Sequence, residues 1–262
     1  MSVDHATLLT DLKRRVKLLE DDLRERADEV PEMGEHLKAE YGHAREAERT
    51  AETFTAWREA TLTQAAVAWV LGCVFVRFLE DNELIEEPLI AGAGTRGERA
   101  AHRREEHFRF EPNDSDNDYL RAVFRTVAVL PGMAKLYDET HNPLFTYGIS
   151  GDAAKALLAF WRDVEEASGA LIHDFADPEW NTRFLGDLYQ DLSESARKRY
   201  ALLQTPEFVE EFILERTLVP AIEEFGLEPV NEKGEREPIR LIDPTCGSGH
   251  FLLGAFELLL AR

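Results

Sequence analysis

The run Ile239-Arg240-Leu241-Ile242-Asp243-Pro244-Thr245-Cys246-Gly247-Ser248-Gly249-His250-Phe251-Leu252-Leu253, continuing to Leu260, holds the only change of grammar in the 262-residue chain. Ile239 to Ile242 is a short apolar stretch that predicts a strand. An acid and a proline close it, two glycines follow, and Phe251, Leu252, Leu253, Phe256, Leu258, Leu259 and Leu260 resume helical apolar spacing. Strand, glycine loop and helix form the opening unit of a doubly wound α/β sheet, which binds ligands at the carboxyl ends of its strands. The glycines let backbone approach a ligand closely, and the helix N-terminus offers unpaired N–H groups.

The details narrow the ligand. A dinucleotide loop needs a third glycine where this chain has Leu252, and a phosphate-gripping loop needs a lysine that is absent. Asp243 instead puts a carboxylate at the strand end. It would repel a pyrophosphate but suits a cationic amine, such as the methionine ammonium of S-adenosylmethionine.

Everything before this reads as helix. Leu9, Leu12, Val16, Leu19 and Leu23 alternate spacings of three and four, which fits a helix packed on its own domain or a short helical hairpin. Pro31 predicts its end. From there to about residue 60 the chain is polar and helix-prone, with Phe54 and Trp57 as anchors. Ala65 to Leu79 is apolar nearly all round, the mark of a buried central helix, with Arg77 and Glu80 expected to pair on its one wetted edge.

Residues 88–118 read as a long excursion, and its arginines (Arg96, Arg99, Arg103, Arg104, Arg109) as a solvated face rather than a phosphate contact. His102 and His107 have no further ligand nearby, so no metal is assigned. Asp114, Asp116 and Asp118 lack the glycine and terminal glutamate of a calcium loop. Further helices are expected over 119–138, 152–167 and 181–201. Phe124, Tyr137, Phe145, Phe160, Trp161, Trp180 and Phe184 supply an aromatic core.

Composition limits the function classes. With 51 acidic against 30 basic residues the formal net charge is −21, which repels a phosphate backbone at long range. Contact with double-stranded DNA is therefore expected mainly through sequence outside these residues. Cys73 and Cys246 are too few for a disulfide framework or a four-cysteine zinc site. The N-terminus has no basic-then-apolar leader, and the apolar run near residues 64–79 falls short of a bilayer span. The expectation is a cytoplasmic protein with no membrane partner.

Asp243-Pro244-Thr245-Cys246-Gly247-Ser248-Gly249-His250-Phe251 resembles the first motif of the adenine-N6 DNA methyltransferases, Asp-Pro-x-x-Gly-x-Gly-x-Phe. Thr205-Pro206-Glu207-Phe208-Val209 resembles the Thr-Pro motif that precedes it in type I and type IIG restriction-modification methylases, with Gln204 where the family has tyrosine. Phe208, Val209, Phe212, Ile213 and Leu218 give the following helix its expected apolar face. Arg77-Phe78-Leu79-Glu80-Asp81-Asn82, Leu185-Gly186-Asp187-Leu188-Tyr189-Gln190 and Glu215-Arg216-Thr217-Leu218 make the chain similar to the PglX-like methyltransferases of phage growth limitation (BREX-type) defence.

The resemblance implies a mainly α chain. A helical N-terminal domain over 1–200 would precede the first strand-loop-helix of a class I, Rossmann-like S-adenosylmethionine-dependent domain over 201–262. It implies cofactor roles for Thr205, Asp243, Pro244, Gly247 and Gly249, with Cys246 and Phe251 lining the site.

An adenine methylase also needs an Asn/Asp-Pro-Pro-Tyr/Phe loop to hold the flipped base. Asn142-Pro143-Leu144-Phe145 lacks the second proline and has no strand before it, so no catalytic residue is assigned. These residues alone are expected not to methylate DNA, since a lone strand-helix unit cannot bury its faces. Two other readings stay open: a methyltransferase for protein or RNA, and a helical module that binds other phage-defence proteins.

Overall fold

Thr53 starts the longest apolar helix by accepting a hydrogen bond from Ala56 N at 3.3 Å, and the rest of the helical region is arranged around it. The computed structural model describes residues 5–176, 185, 188, 191–192, 205, 207–231, 234–244, 246 and 249–262. They include α1 (His5–Glu29), α2 (Pro31–Glu46), α3 (Phe54–Asp81), α4 (Thr95–Phe110), α5 (Asp116–Ala128), α6 (Pro143–Thr146), α7 (Gly151–Arg162), α8 (Glu207–Phe225) and α9 (His250–Leu260). The chain divides into two units, Met1–Trp180 with Asp191–Ser195 and Asn181–Gln190 with Ala196–Arg262. The molecule is mainly helical, and no strand is present among the described residues.

In the first unit α3 is the core. Its 28 residues are long and apolar enough, by length and composition, to cross a membrane, so the shorter apolar run read from the sequence underestimates it. Most of its surface is instead buried, packed on α1, α2, α5 and α6. Each fully buried large aliphatic or aromatic side chain contributes roughly 1.5–3 kcal/mol. Trp69 is wholly buried and donates to Tyr147 O at 2.9 Å, and Tyr137 donates to Gly72 O at 2.7 Å. A Cβ at Gly72 would stand 3.1 Å from the Phe124 ring, so glycine leaves room for that ring against α3.

α1 buries Leu8, Leu12, Val16, Leu19, Leu23 and Ala27, so the stripe begins one residue before the expected Leu9. α1 ends at Glu29, just before Pro31, as the sequence predicts, and Pro31 itself opens the first turn of α2. Of the expected aromatic core, Phe124, Tyr137, Phe160 and Trp161 are buried and Phe145 is half-buried; Trp180 and Phe184 lie outside the described residues.

The pairing of Arg77 with Glu80 is present at 2.7 Å, but no edge is wetted, for both residues are fully buried. Residues 83–94 fold over the end of α3 and bury Leu89, Ile90 and Ala91, whose N–H groups then need acceptors. Glu80 supplies them: Leu89 N and Ile90 N donate at 2.5 Å and Ala91 N at 3.3 Å. Arg77 also reaches both oxygens of Asp81, at 2.6 and 2.7 Å. Asp81 in turn accepts from Phe175 N at 2.9 Å. Burial pushes the Asp81 carboxyl up to about 6, and Arg77 offsets this only in part.

The excursion over 88–118 is therefore ordered, and its second half is helix α4. Three of its five arginines hold the fold together. Arg96 donates to the carbonyls of Glu80, Ile85 and Glu86, Arg99 pairs with Glu87, and Arg104 grips Asp116 at 2.6 and 2.7 Å. The acidic run is used as well: Asp114 meets His107 at 2.9 Å, and Asp118 caps α5 through the N–H and hydroxyl of Ser115.

α5 is shorter than expected, since Pro131-Gly132 breaks the chain after Ala128 and Gly132 takes φ +82°. α7 likewise ends at Arg162, followed by a loop closed by the Val164–Leu171 bridge. Most of the helix expected over 181–201 lies outside the described residues.

Candidate cofactor site

The second unit is built on α8 and α9. The sequence suggests Phe208, Val209, Phe212, Ile213 and Leu218 as the apolar face of α8; Leu218 is buried, but Phe208 is 72% exposed and Phe212 57%. The buried stripe is Glu210, Leu214, Leu218 and Ile222, at a strict spacing of four. Residues four apart stack on one side of a helix, and only this side meets α9. Leu214, Leu218 and Ile222 pack with Ala255, and Ile239, Phe251, Leu258 and Leu259 cover them in part.

Between the helices the chain makes a narrow antiparallel arm that the sequence pattern does not announce. Asn231 N donates to Glu235 O at 2.8 Å, Glu237 N to Pro229 O at 3.0 Å and Ile239 N to Leu227 O at 2.8 Å, around the Val230–Arg236 bridge. The signal was the turn chemistry of Asn231 and Gly234, whose φ is +81°. Ile239 is thus the last rung of this arm. The strand expected over Ile239–Ile242 is not present: Ile239 ends the arm, Arg240–Ile242 carry no ladder, and Ile242 is 87% exposed. A strand exists by virtue of a paired neighbouring strand, and none is present among the described residues.

The loop then turns back. Gly249 donates to Cys246 O at 2.7 Å and takes φ +84°, ψ 15°, a left-handed position that costs other residues roughly 1–2 kcal/mol. Its own carbonyl accepts Leu253 N at 2.9 Å as the first bond of α9. A Cβ on Gly249 would meet nothing within 4 Å, so the backbone angle alone requires glycine there. Asp243 is half-buried, Pro244 and Cys246 are exposed, and Phe251 is half-buried against the α8 seam. Thr205 is half-buried just before α8. Gln204, Pro206, Thr245, Gly247 and Ser248 lie outside the described residues.

A contact that sequence reasoning missed ties the two motifs together. Glu210, 1% exposed, lies three residues into α8, and its Oε1 would stand 1.9 Å from a Cβ placed on Gly254, four residues into α9. At about 1.5 Å per residue, each helix begins only some 5–6 Å from that contact. The contact thus falls in the first turns of both helices. The spacing of four from Glu210 to Ile222 was the available signal.

Asn142, the nearest approach to a methylase loop, is occupied in structure: it accepts Leu144 N at 3.1 Å, donates to Leu136 O at 2.8 Å, and caps the four-residue α6. Leu144 beside it is fully buried.

No family model and no solved structure matches the chain. Among curated proteins it is 48% identical, over 98% of its length, to the adenine-specific methyltransferase PglX of Streptomyces coelicolor. It spans 21% of that protein. With a shared residue at nearly every second position over that length, this chain is similar to that methyltransferase.

Proposed function

We propose that these residues belong to an S-adenosylmethionine-dependent DNA adenine-N6 methyltransferase serving in phage defence, and that the second unit opens its cofactor domain. The observation that supports the reading is the left-handed turn at Gly249, which leads into α9. The residues fit the cofactor chemically. Asp243 offers a carboxylate for the methionine ammonium, and Thr205 approaches from the α8 side. Gly247 and Gly249 admit the ligand to the backbone, Pro244 shapes the strand end, and Cys246 and Phe251 line the site. When bound, S-adenosylmethionine supplies the methyl group as a sulfonium.

Residues 239–260 are then the first strand, loop and helix of a Rossmann-like sheet. The exposed Ile242, Phe208 and Phe256 suit faces that the rest of such a domain would cover. Helical residues 1–200 serve as a scaffold, and double-stranded DNA and the base-holding loop belong to other parts of a longer, cytoplasmic protein. These residues by themselves are inactive.

The test is isothermal titration of S-adenosylmethionine into the full-length protein, with Asp243→Ala alongside. Binding lost in the variant, together with N6-methyladenine formed in duplex DNA by the wild type, is the expected result. A folded wild type that binds no S-adenosylmethionine overturns the reading.

A further inference from the structure

We infer that Asp81 and the strap of residues 171–176 form a proton-operated latch on the first unit, which takes up a proton at Asp81 as the strap closes over the end of α3. None of its parts belongs to the candidate cofactor site.

The geometry is a mismatch of charge. Two carboxylates, Glu80 and Asp81, share the single guanidinium of Arg77, and the side chains are 0% exposed at Arg77 and Glu80 and 4% at Asp81. One negative charge is left over where desolvating it is costly. Glu80 has no room for a proton: Leu89 N and Ile90 N donate to its Oε1, Ala91 N and Arg77 Nη1 to its Oε2. Asp81 Oδ2 accepts from Phe175 N and Arg77 Nη2. Among the described residues its Oδ1 accepts from Arg77 Nη2 alone, which leaves a lone pair for the proton.

Asp174 of the strap is a third acid facing this pair. Arg96 of α4 and Arg162 of α7 end instead on the carbonyls of Glu80 and Ile90. Burial first, then the repulsion of Asp174 and Glu80, push the Asp81 carboxyl up to about 6 against the pull of Arg77 and Phe175 N–H.

The strap supplies that burial. Phe175 is buried against Trp161, and its N–H and carbonyl are tied to the end of α3, at Asp81 and at Asn82 Nδ2, each at 2.9 Å. Ile172 and Ala176 on either side are exposed. Lifting the strap returns Asp81 to water and to its ordinary value. Because the closed value is the higher one, closure is favoured fully below the ordinary carboxylate value, and that contribution is lost as pH rises through about 6. His173, the strap's other titratable group, is buried beside Phe160 and lies 3.2 Å from Asp11 of α1. Burial holds its imidazole below the ordinary value, with Asp11 offsetting this in part, so it acts in the opposite sense.

The test is hydrogen–deuterium exchange of the full-length protein, read by mass spectrometry on the peptide holding residues 172–176, for wild type and Asp81→Asn at pH 5 and pH 7.5. Asparagine has the shape of the protonated acid and still accepts from Phe175 N. The ratio of strap-opening constants, wild type over variant, is expected to rise about tenfold from the lower to the higher pH. Intrinsic exchange rates and the His173 titration cancel in that ratio. A ratio that stays constant or falls overturns the latch. So does an equal change in peptides from the middle of α3, which would make it a property of whole-unit unfolding. Should Asp81→Asn fail to fold, His173→Gln decides: its opening constant, corrected for intrinsic exchange, is expected to rise about tenfold over the same range, and a constant value overturns the latch.

Discussion

The two units treat their apolar side chains in opposite ways. In the first, Trp69, Val70, Val74, Phe124 and Trp161 are essentially sealed, and even the charges at the end of α3 are buried and paired. In the second, among the described residues, a seam of α8 against α9 is buried, as are Leu185 and Leu188, while Phe208, Phe212, Phe225, Phe256, Leu260 and Ile242 stand more than half exposed. Two helices and an arm have too little mutual surface to hide that many apolar groups. The first unit thus completes its core among its own helices. The second presents apolar faces together with the left-handed turn at Gly249.

The sharpest way to break this contrast is to remove a sealed side chain. Trp69→Ala should destabilise the first unit by about 3–5 kcal/mol, through lost burial, a cavity and the lost bond to Tyr147 O. Chemical denaturation followed by circular dichroism reads the effect. A loss below about 1 kcal/mol would mean that α3 is not the core.

A smaller effect is expected at the α5 cap. Burial alone would raise the Asp118 carboxyl, but the Ser115 hydroxyl and N–H outweigh it and hold it below its ordinary value. Asp118→Asn should cost about 1 kcal/mol. Because the folded-state value is depressed, the contribution is fully present above the ordinary carboxyl value. It is lost as pH falls through the folded one, so wild type and variant should converge in acid. A difference that persists at the acid end would remove the carboxylate from the cap.

The smallest effect belongs to the second unit. Phe208→Ser, at a ring already 72% exposed, should change the stability of residues 1–262 by no more than about 0.5 kcal/mol. The same change in the full-length protein is expected to cost more, by comparative thermal unfolding. Equal effects in both would show that nothing further covers that face.

Legibility followed the range of the interactions. The sealed α3 was read from residues 65–79 because a helix apolar on every side has only one place to go. The end of α1 before Pro31, the turn at the second loop glycine and the start of α9 were legible from equally local signals. The inward face of α8 was legible only at Leu218. Phe208, Phe212 and Ile213 are the more hydrophobic choice, yet the side that meets α9 is set by the partner helix, and it includes a glutamate.

What the sequence determined alone was everything that depends on backbone chemistry within a few residues. That covers the helix-forming stretches, their proline and glycine stops, the loop that makes this chain similar to a methyltransferase, and the acidic balance. What only the tertiary structure decided was which groups share space. Arg77 and Glu80 became a buried clamp because residues 89–91 fold over them. The acidic run became caps and ion pairs because α4 lies beside it. Glu210 came to Gly254 because α8 and α9 pack at that height. Local signals report the conformational cost of each residue, whereas desolvation and contact depend on neighbours distant in the chain, which no window of sequence contains.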